Sequence, residues 1–186
     1  MKNSKNILSL RIVSGILKSR RINPPSNLPV RPTTDMAKEA LFNILQNKIY
    51  LEEANVLDLF SGTGNMSFEF FSRECESITA VDQNSKCIQF IKKTKDELKM
   101  DSLEVVQADC FAFVKGAYKK YDLIFADPPY NMPNYIELVE LILEKQLLSE
   151  DGILIIEHSK DTNLSQIKSY TDTRRYGGVH FSFFEI

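Results

Sequence analysis

Val56-Leu57-Asp58-Leu59-Phe60-Ser61-Gly62-Thr63-Gly64-Asn65 is the stretch on which the reading of the fold turns. Its first half is a short run, Val56 to Phe60, apolar except at Asp58, as expected of a buried strand. Gly62 and Gly64 then let the backbone turn sharply and approach a ligand closely. A helix is expected from Asn65 to Arg73. The same order of run, turn and helix repeats downstream. Strand Ser77 to Val81 precedes a helix from Ser85 to about Met100, and strand Leu103 to Ala108 precedes a helix from Cys110 to Gly116. Strand Tyr121 to Ala126 precedes a helix from Asn134 to Gln146, and Gly152 to Glu157 is a fifth strand. Strands alternating with helices predict an α/β fold with a mostly parallel sheet covered on both faces. Ser169 to Tyr176 and Val179 to Ile186, joined at Gly177-Gly178, predict a closing antiparallel hairpin and bring the expected sheet to seven strands.

The chain has 186 residues, 43% of them hydrophobic, enough for one domain with a real core. No apolar run approaches the ~18–20 residues needed to span a bilayer. Met1 to Leu10 holds no apolar stretch of signal-peptide length, so a cytoplasmic protein is expected. Cys75, Cys87 and Cys110 match no C-x-x-C pattern and read as reduced, buried thiols. His158 and His180 lie in apolar stretches without acidic or Cys partners at ligand spacing, so no metal is expected.

Charge is unevenly placed. Of the 23 Lys and Arg residues, seven lie within residues 1–34, where there is no acid; the other 16 face all 25 acids. A basic arm on an acidic body suits a polyanion held beside a catalytic face, although a merely solvated tail would have the same composition. Leu10 to Gly15 alternates like the start of a strand, and Arg20-Arg21-Ile22 leads into the turn-forming Asn23-Pro24-Pro25-Ser26-Asn27. The pattern predicts a short ordered β-arm over residues 1–34, in which Arg11, Arg20, Arg21 and Arg31 would contact phosphates without reading sequence. The body, residues 35–186, begins where Arg31-Pro32-Thr33-Thr34-Asp35 ends the extended segment, with Thr34 or Asp35 as helix N-cap. Ala37, Ala40, Leu41, Ile44 and Leu45 then recur at helical spacing, so that helix is expected from about Asp35 to Lys48.

In a parallel α/β sheet, ligands bind at the carboxyl ends of the strands, near the point where strand order reverses. The first strand end offers Asp58, Phe60, Ser61, Gly62, Thr63 and Gly64. Here Ser67 stands in place of the third glycine of a dinucleotide-binding loop, and Asp58 suits an ammonium better than a pyrophosphate. A plain glycine turn with a capping aspartate is the bland alternative. The second end offers Asp82 and Gln83; Asp82 could accept both hydroxyls of a ribose or only cap the next helix. The third offers Asp109 and Cys110; Asp109 could accept from an adenine amino group or, again, cap a helix. One ligand uses all three acids: S-adenosylmethionine, an adenosine carrying a free amino-acid end.

The fourth strand end reads Asp127-Pro128-Pro129-Tyr130. Two prolines fix the backbone and remove two amide donors. What is left is a group of acceptors, the Asp127 carboxylate and nearby main-chain carbonyls, above a stacking ring. A nucleobase amino group is a poor nucleophile because its lone pair is delocalised into the ring. Acceptors gripping its N–H groups would favour a pyramidal nitrogen whose lone pair points at the methyl donor, so catalysis would be orientation plus electrostatic stabilisation.

With these residues in view, the chain resembles the class I amino-methyltransferases, marked by the [DNS]-P-P-[YFW] tetrapeptide. Within them it is similar, essentially end to end, to the RsmD family of 16S ribosomal RNA guanine-N2 methyltransferases. The likeness rests on Arg11-Ile12-Val13-Ser14-Gly15 with Arg20, on Arg31-Pro32-Thr33-Thr34-Asp35 leading into Glu39-Ala40-Leu41-Phe42-Asn43, and on the Asp58 to Gly64 loop. It implies a Rossmann-like fold, S-adenosylmethionine as donor, and guanine 966 of small-subunit rRNA as target. It also places Thr33 and Thr34 with the arginines on the RNA side. Ser14 and Lys18-Ser19 stand where that family usually has glycine and Arg-Gly, and Ser67 and Glu74 replace common glycines; none of these is a proposed catalytic group. The expected partner is ribosomal RNA, naked or in an assembling 30S particle, and the expected state is a monomer away from membranes. An adenine-N6 methyltransferase remains open on the tetrapeptide alone. An NAD-dependent dehydrogenase would need the third loop glycine, and a non-catalytic RNA-binding module would have no use for the acceptors of Asp127 to Tyr130.

Overall fold

The structure, a computed structural model, describes residues 9–26, 28 and 33–186. Arg31 and Pro32 therefore lie outside the described residues. The chain opens with two short strands, β1 (Leu10–Arg11) and β2 (Arg21–Ile22), paired antiparallel as Leu10 with Ile22 and Arg11 with Arg21. Helix α1 (Asp35–Leu45) and a single 3₁₀ turn (Leu51–Glu53) lead into the sheet. There β3 (Asn55–Leu59), α2 (Asn65–Ser72), β4 (Ser77–Asp82), α3 (Ser85–Leu98) and β5 (Leu103–Gln107) run outward. The chain then crosses back through α4 (Cys110–Gly116) to β6 (Tyr121–Ala126), α5 (Tyr135–Glu144) and β7 (Leu148–His158), and closes with β8 (Tyr170–Tyr176) and β9 (Val179–Glu185). Strand order is β5-β4-β3-β6-β7-β9-β8, with the first five parallel and β9 antiparallel to both β7 and β8. This is the α/β Rossmann-like arrangement expected from the alternating runs. The order reverses between β3 and β6, which makes their carboxyl ends the crevice where ligands bind.

Successive residues of a strand point to opposite faces, and the central strands sort accordingly into two apolar layers. Val56, Ile78, Leu123, Phe125, Ile153 and Ile155 pack with α1, α2 and α3 on one face. Leu57, Leu59, Val81, Ile124, Leu154 and Ile156 pack with α4 and α5 on the other. Both faces are covered, so the central strands carry apolar side chains toward both layers. Several element boundaries shift by one or two residues from expectation, and two shift by more. Helix α1 ends at Leu45, because the Asn47 and Lys48 amides turn to Ile44 and Leu45 in tighter three-residue bonds. Strand β7 begins at Leu148, four residues early, because Ser149 to Asp151 bulge out of a ladder that pairs at Leu148 and resumes at Ile153.

The arm is bound by a buried polar network. Lys38, on α1, has a fully buried side chain whose ammonium lies 3.4 Å from Glu69 on α2. It also donates to the Arg11 carbonyl at 2.7 Å and to Asn65 Oδ1 at 2.9 Å. Glu69 accepts from the Val13 and Ser14 amides and from Arg73 Nε, and the Arg73 guanidinium lies over the Phe42 ring. Gly15, at φ +81°, lies so close to the end of α2 that a Cβ there would stand 1.7 Å from the Ser72 carbonyl oxygen. Leu10, Ile12 and Ile22 join the apolar layer of α1 and α2. Burial pushes the Lys38 ammonium pKa down, and Glu69 partly offsets that.

Candidate active site

The glycine loop is held from both sides. Asp58, 1% exposed near the end of β3, accepts from the Ser67 hydroxyl on the first turn of α2. The serine that replaces a dinucleotide-loop glycine is thus what fixes this aspartate. Burial pushes the Asp58 carboxyl up to about 7, with Ser67 pulling the other way. Phe60, Gly62 and Gly64 all have positive φ, and Gly64 could carry no Cβ without one lying 2.9 Å from Phe68 Cζ. Asp82 accepts from the Gly62 amide at 2.8 Å with one oxygen and from the Asn84 amide at 2.7 Å with the other. It does not cap α3, since the Asn84 side chain receives the Lys86 and Cys87 amides. Asp109 does cap α4, through the Ala112 amide at 2.9 Å. The Cys110 sulfur accepts from the Phe60 amide at 3.3 Å, and burial pushes its thiol up to about 12. All three cysteines are buried free thiols.

At the fourth strand end the Asp127 amide donates to the Leu59 carbonyl at 3.3 Å, tying the two strand ends that flank the reversal. No hydrogen bond to the Asp127 carboxyl group is found among the described residues. Burial, then the charges of Glu157 and Asp58, hold its pKa well above the ordinary carboxylate range. The Tyr135 hydroxyl donates to the Pro128 carbonyl at 3.2 Å and the Pro129 carbonyl at 3.4 Å, which braces the turn. The Pro128 carbonyl keeps a second lone pair for another donor, whereas the Pro129 carbonyl also accepts from the Met132 amide at 2.8 Å. Tyr130 is 45% exposed, and its hydroxyl lies 3.4 Å from Glu157 Oε1. The other Glu157 oxygen accepts from Thr33 Oγ1 at 2.7 Å. Burial pushes Glu157 up to about 7.

These groups share one cleft of about 760 Å³. Every strand-end residue singled out in the sequence lines it except Gly64, and Thr33 and Thr34 line it too. Arg11, Arg20 and Arg21 do not. Arg11 is engaged by Asp35 at 2.7 Å and Glu39 at 3.0 Å, while Arg20 and Arg21 are exposed. The sequence reading missed Asn65, Glu157 and the residues at the tip of the closing hairpin, Tyr176 to Val179, all of which line the cleft. Glu157 had a signal: it is one more acid at a strand end. The hairpin tip had none, because its place at the cleft follows from β8 and β9 folding back beside β7. The Ser61 hydroxyl, in a residue 8% exposed and lining the same cleft, has no hydrogen-bond partner among the described residues. No helix among the described residues is long and apolar enough to cross a membrane.

The chain is similar to known proteins in sequence and in fold. A family described as "Conserved hypothetical protein 95" matches residues 10–185. The ribosomal RNA small subunit methyltransferase D of Buchnera aphidicola subsp. Baizongia pistaciae is 31% identical over 163 residues, 88% of this chain and 83% of that protein. Among solved structures, a Thermus thermophilus protein described as hypothetical superposes with a TM-score of 0.81 at 22% identity, over 95% of this chain and 99% of that one. The T. thermophilus 16S rRNA N2 G1207 methyltransferase, solved with AdoMet and guanosine, superposes with a TM-score of 0.73 at 14% identity, over 97% of this chain and 50% of that one. At such identities these two likenesses speak to the fold. The chain belongs to the family described as conserved hypothetical protein 95, and with it to the family of the ribosomal RNA small subunit methyltransferases D.

Proposed function

We propose that this protein transfers a methyl group from S-adenosylmethionine to the exocyclic N2 amino group of a guanine in 16S rRNA. The observation that carries the reading is Asp127: a carboxyl group without a hydrogen-bond partner among the described residues, beside the crevice at the strand reversal, next to a half-exposed aromatic ring. The family membership and the relative's activity in its name support it.

The cleft suits the cofactor. Asp82 spends two of roughly four lone-pair sites on backbone amides, which leaves acceptors for ribose hydroxyls. Asp109 has an oxygen beyond its capping role, and the orphaned Ser61 hydroxyl needs a partner. Asp58 and the other cleft carboxyl groups favour a ligand carrying positive charge. S-adenosylmethionine, when bound, supplies an electrophilic methyl on a cationic sulfur. Asp127 and the Pro128 carbonyl then orient the base nitrogen by accepting its N–H bonds, Tyr130 stacks on the base, and Asp127 stabilises the positive charge that grows on nitrogen. Arg20, Arg21 and Arg31, with Arg11 once released from its acids, would hold the RNA backbone, with Thr33 and Thr34 between arm and cleft. We treat the arm, residues 1–34, and residues 35–186 as one folded unit acting as a monomer in the cytoplasm on rRNA or an assembling 30S particle.

The test is to incubate the protein with labelled S-adenosylmethionine and either protein-free 16S rRNA or 30S particles that lack the modification, then to digest the RNA and identify the labelled nucleoside. N2-methylguanosine is expected. N6-methyladenosine, or no transfer to RNA, overturns the reading.

A further inference from the structure

Glu157 stands apart from the other cleft carboxylates. Strands β6 and β7 are parallel neighbours in register at Ala126 and Ile156, so Asp127 and Glu157 are the next residues along, side by side on strands about 4.8 Å apart. Glu157 is 2% exposed yet lines the cleft. Its Oε2 is held by the Thr33 hydroxyl at 2.7 Å, which sets the rotamer. Its Oε1 has only the Tyr130 hydroxyl at 3.4 Å, a long contact at the rim of the proposed stacking ring. A buried carboxylate offers about four acceptor sites, and among the described residues these two donors are all it has. Buried acceptors left so short of donors are rare outside sites that a ligand completes.

We propose that Glu157 selects guanine, its free oxygen accepting the N1–H that lies beside the N2 amino group held by Asp127. This rests on the guanine-N2 reading above and goes beyond it by naming how the base is chosen. An ionised carboxylate can only accept. Guanine presents a donor, N1–H, next to its exocyclic amino group, whereas adenine presents a bare acceptor, N1, next to its own. With the amino group at Asp127, guanine completes Glu157 and adenine sets a lone pair against it. That opposition rejects the wrong base, which a stacking ring and a grip on an amino group cannot do. Thr33 is a positioning residue, since it touches the carboxylate and holds the free oxygen toward the cleft. Burial raises both Glu157 and Asp127, and the charge of Glu157 raises Asp127 further; an arriving N–H donor offsets part of that cost.

The decisive probe is 2-aminopurine, which keeps an amino group at C2 but has no N1–H. The guanine methylated by the wild-type protein is first located, and that residue is then replaced by 2-aminopurine in a synthetic 16S rRNA segment. Wild type should favour guanine over 2-aminopurine by roughly a hundredfold in kcat/KM, the worth of one buried acceptor left unmet. Glu157→Gln, whose amide can donate to N1, should shrink that preference to about tenfold or less when both substrates are compared at saturating S-adenosylmethionine. Thr33→Val should slow both substrates and leave their ratio nearly unchanged, which separates positioning from selection. Equal use of the two bases by wild type, or an undiminished preference in a folded Glu157→Gln protein, overturns the proposal and leaves the guanine-N2 reading standing. Methylation of adenine by wild type overturns both. The wild-type comparison needs no variant, so a misfolded Glu157→Gln protein would not protect the idea.

Discussion

Two groups of buried charges, one under the arm and one in the cleft, are built in opposite ways. Under the arm each charge has its partners: Lys38 meets Glu69, Asn65 and a carbonyl, and Glu69 takes two amides and Arg73 as well. In the cleft, burial raises the pKa values of Asp58, Asp127 and Glu157, the charges of Glu157 and Asp58 raise Asp127 further, and no Lys or Arg among the described residues lines it. Burial is similar in the two places, so it cannot be what marks a functional group. The mark is the missing partner. A satisfied network holds the fold, and an unsatisfied one stores a demand that a ligand meets.

The contrast can be broken by exchanging what each region loses. Lys38→Ala strips the counter-charge from buried Glu69 and should destabilise the protein by about 3–5 kcal/mol, read as a fall in the denaturant midpoint. A loss under about 1 kcal/mol would mean that the arm network holds little. Asp127→Ala should do the reverse, leaving stability level or slightly higher and S-adenosylmethionine affinity nearly intact, while single-turnover methyl transfer drops by about 10²–10³. A variant that keeps most of its rate contradicts the mechanism. Asp82→Ala lies between these cases, because Asp82 both ties the glycine loop and faces the cleft. It should weaken S-adenosylmethionine binding by roughly tenfold to a hundredfold by titration calorimetry, for a lost bond worth about 1.5–3 kcal/mol.

Protonation sharpens the same contrast. Asp58 and Glu157 are pushed up to about 7, so folded protein holds these protons more tightly than unfolded chain does. The stability they contribute is complete below the ordinary carboxylate pKa of about 4 and is lost as pH rises through about 7. Ligand-free protein should therefore melt lower at about pH 8 than at about pH 6, the direction of the two shifts. Over the same interval, affinity for cationic S-adenosylmethionine should rise about fivefold relative to its uncharged-sulfur product, the worth of one charge interaction of about 1 kcal/mol. A flat ratio would mean that the cleft carboxyl groups do not sense the sulfonium. The smallest effect concerns the exposed face of the arm. Replacing Arg20 and Arg21 with Ala should lower the slope of log RNA affinity against log salt by about 0.7 for each lost contact with single-stranded RNA, with S-adenosylmethionine affinity unchanged. An unaltered slope would remove these arginines from the RNA-binding face. Arg11 is a poorer probe, since Asp35 and Glu39 already hold it.

The order of strands and helices, the glycine turn, the acids at strand ends and the Asp127 to Tyr130 turn could all be read from the chain alone. Each is a local pattern, set by the side-chain period of a strand or helix or by the backbone limits of glycine and proline. The tertiary structure decided the rest. It assigned Asp109 to a cap and Asp82 to the loop, although in the sequence both read as the first residue past a strand. It turned Ser67 onto Asp58 and Arg11 onto Asp35 and Glu39. It set Glu157 against Thr33, 124 residues away, and brought the tip of the last hairpin to the cleft. Such pairings have no local signature. They depend on which strands become neighbours in the sheet, and that order is settled by packing both apolar faces at once rather than by any one segment's preference.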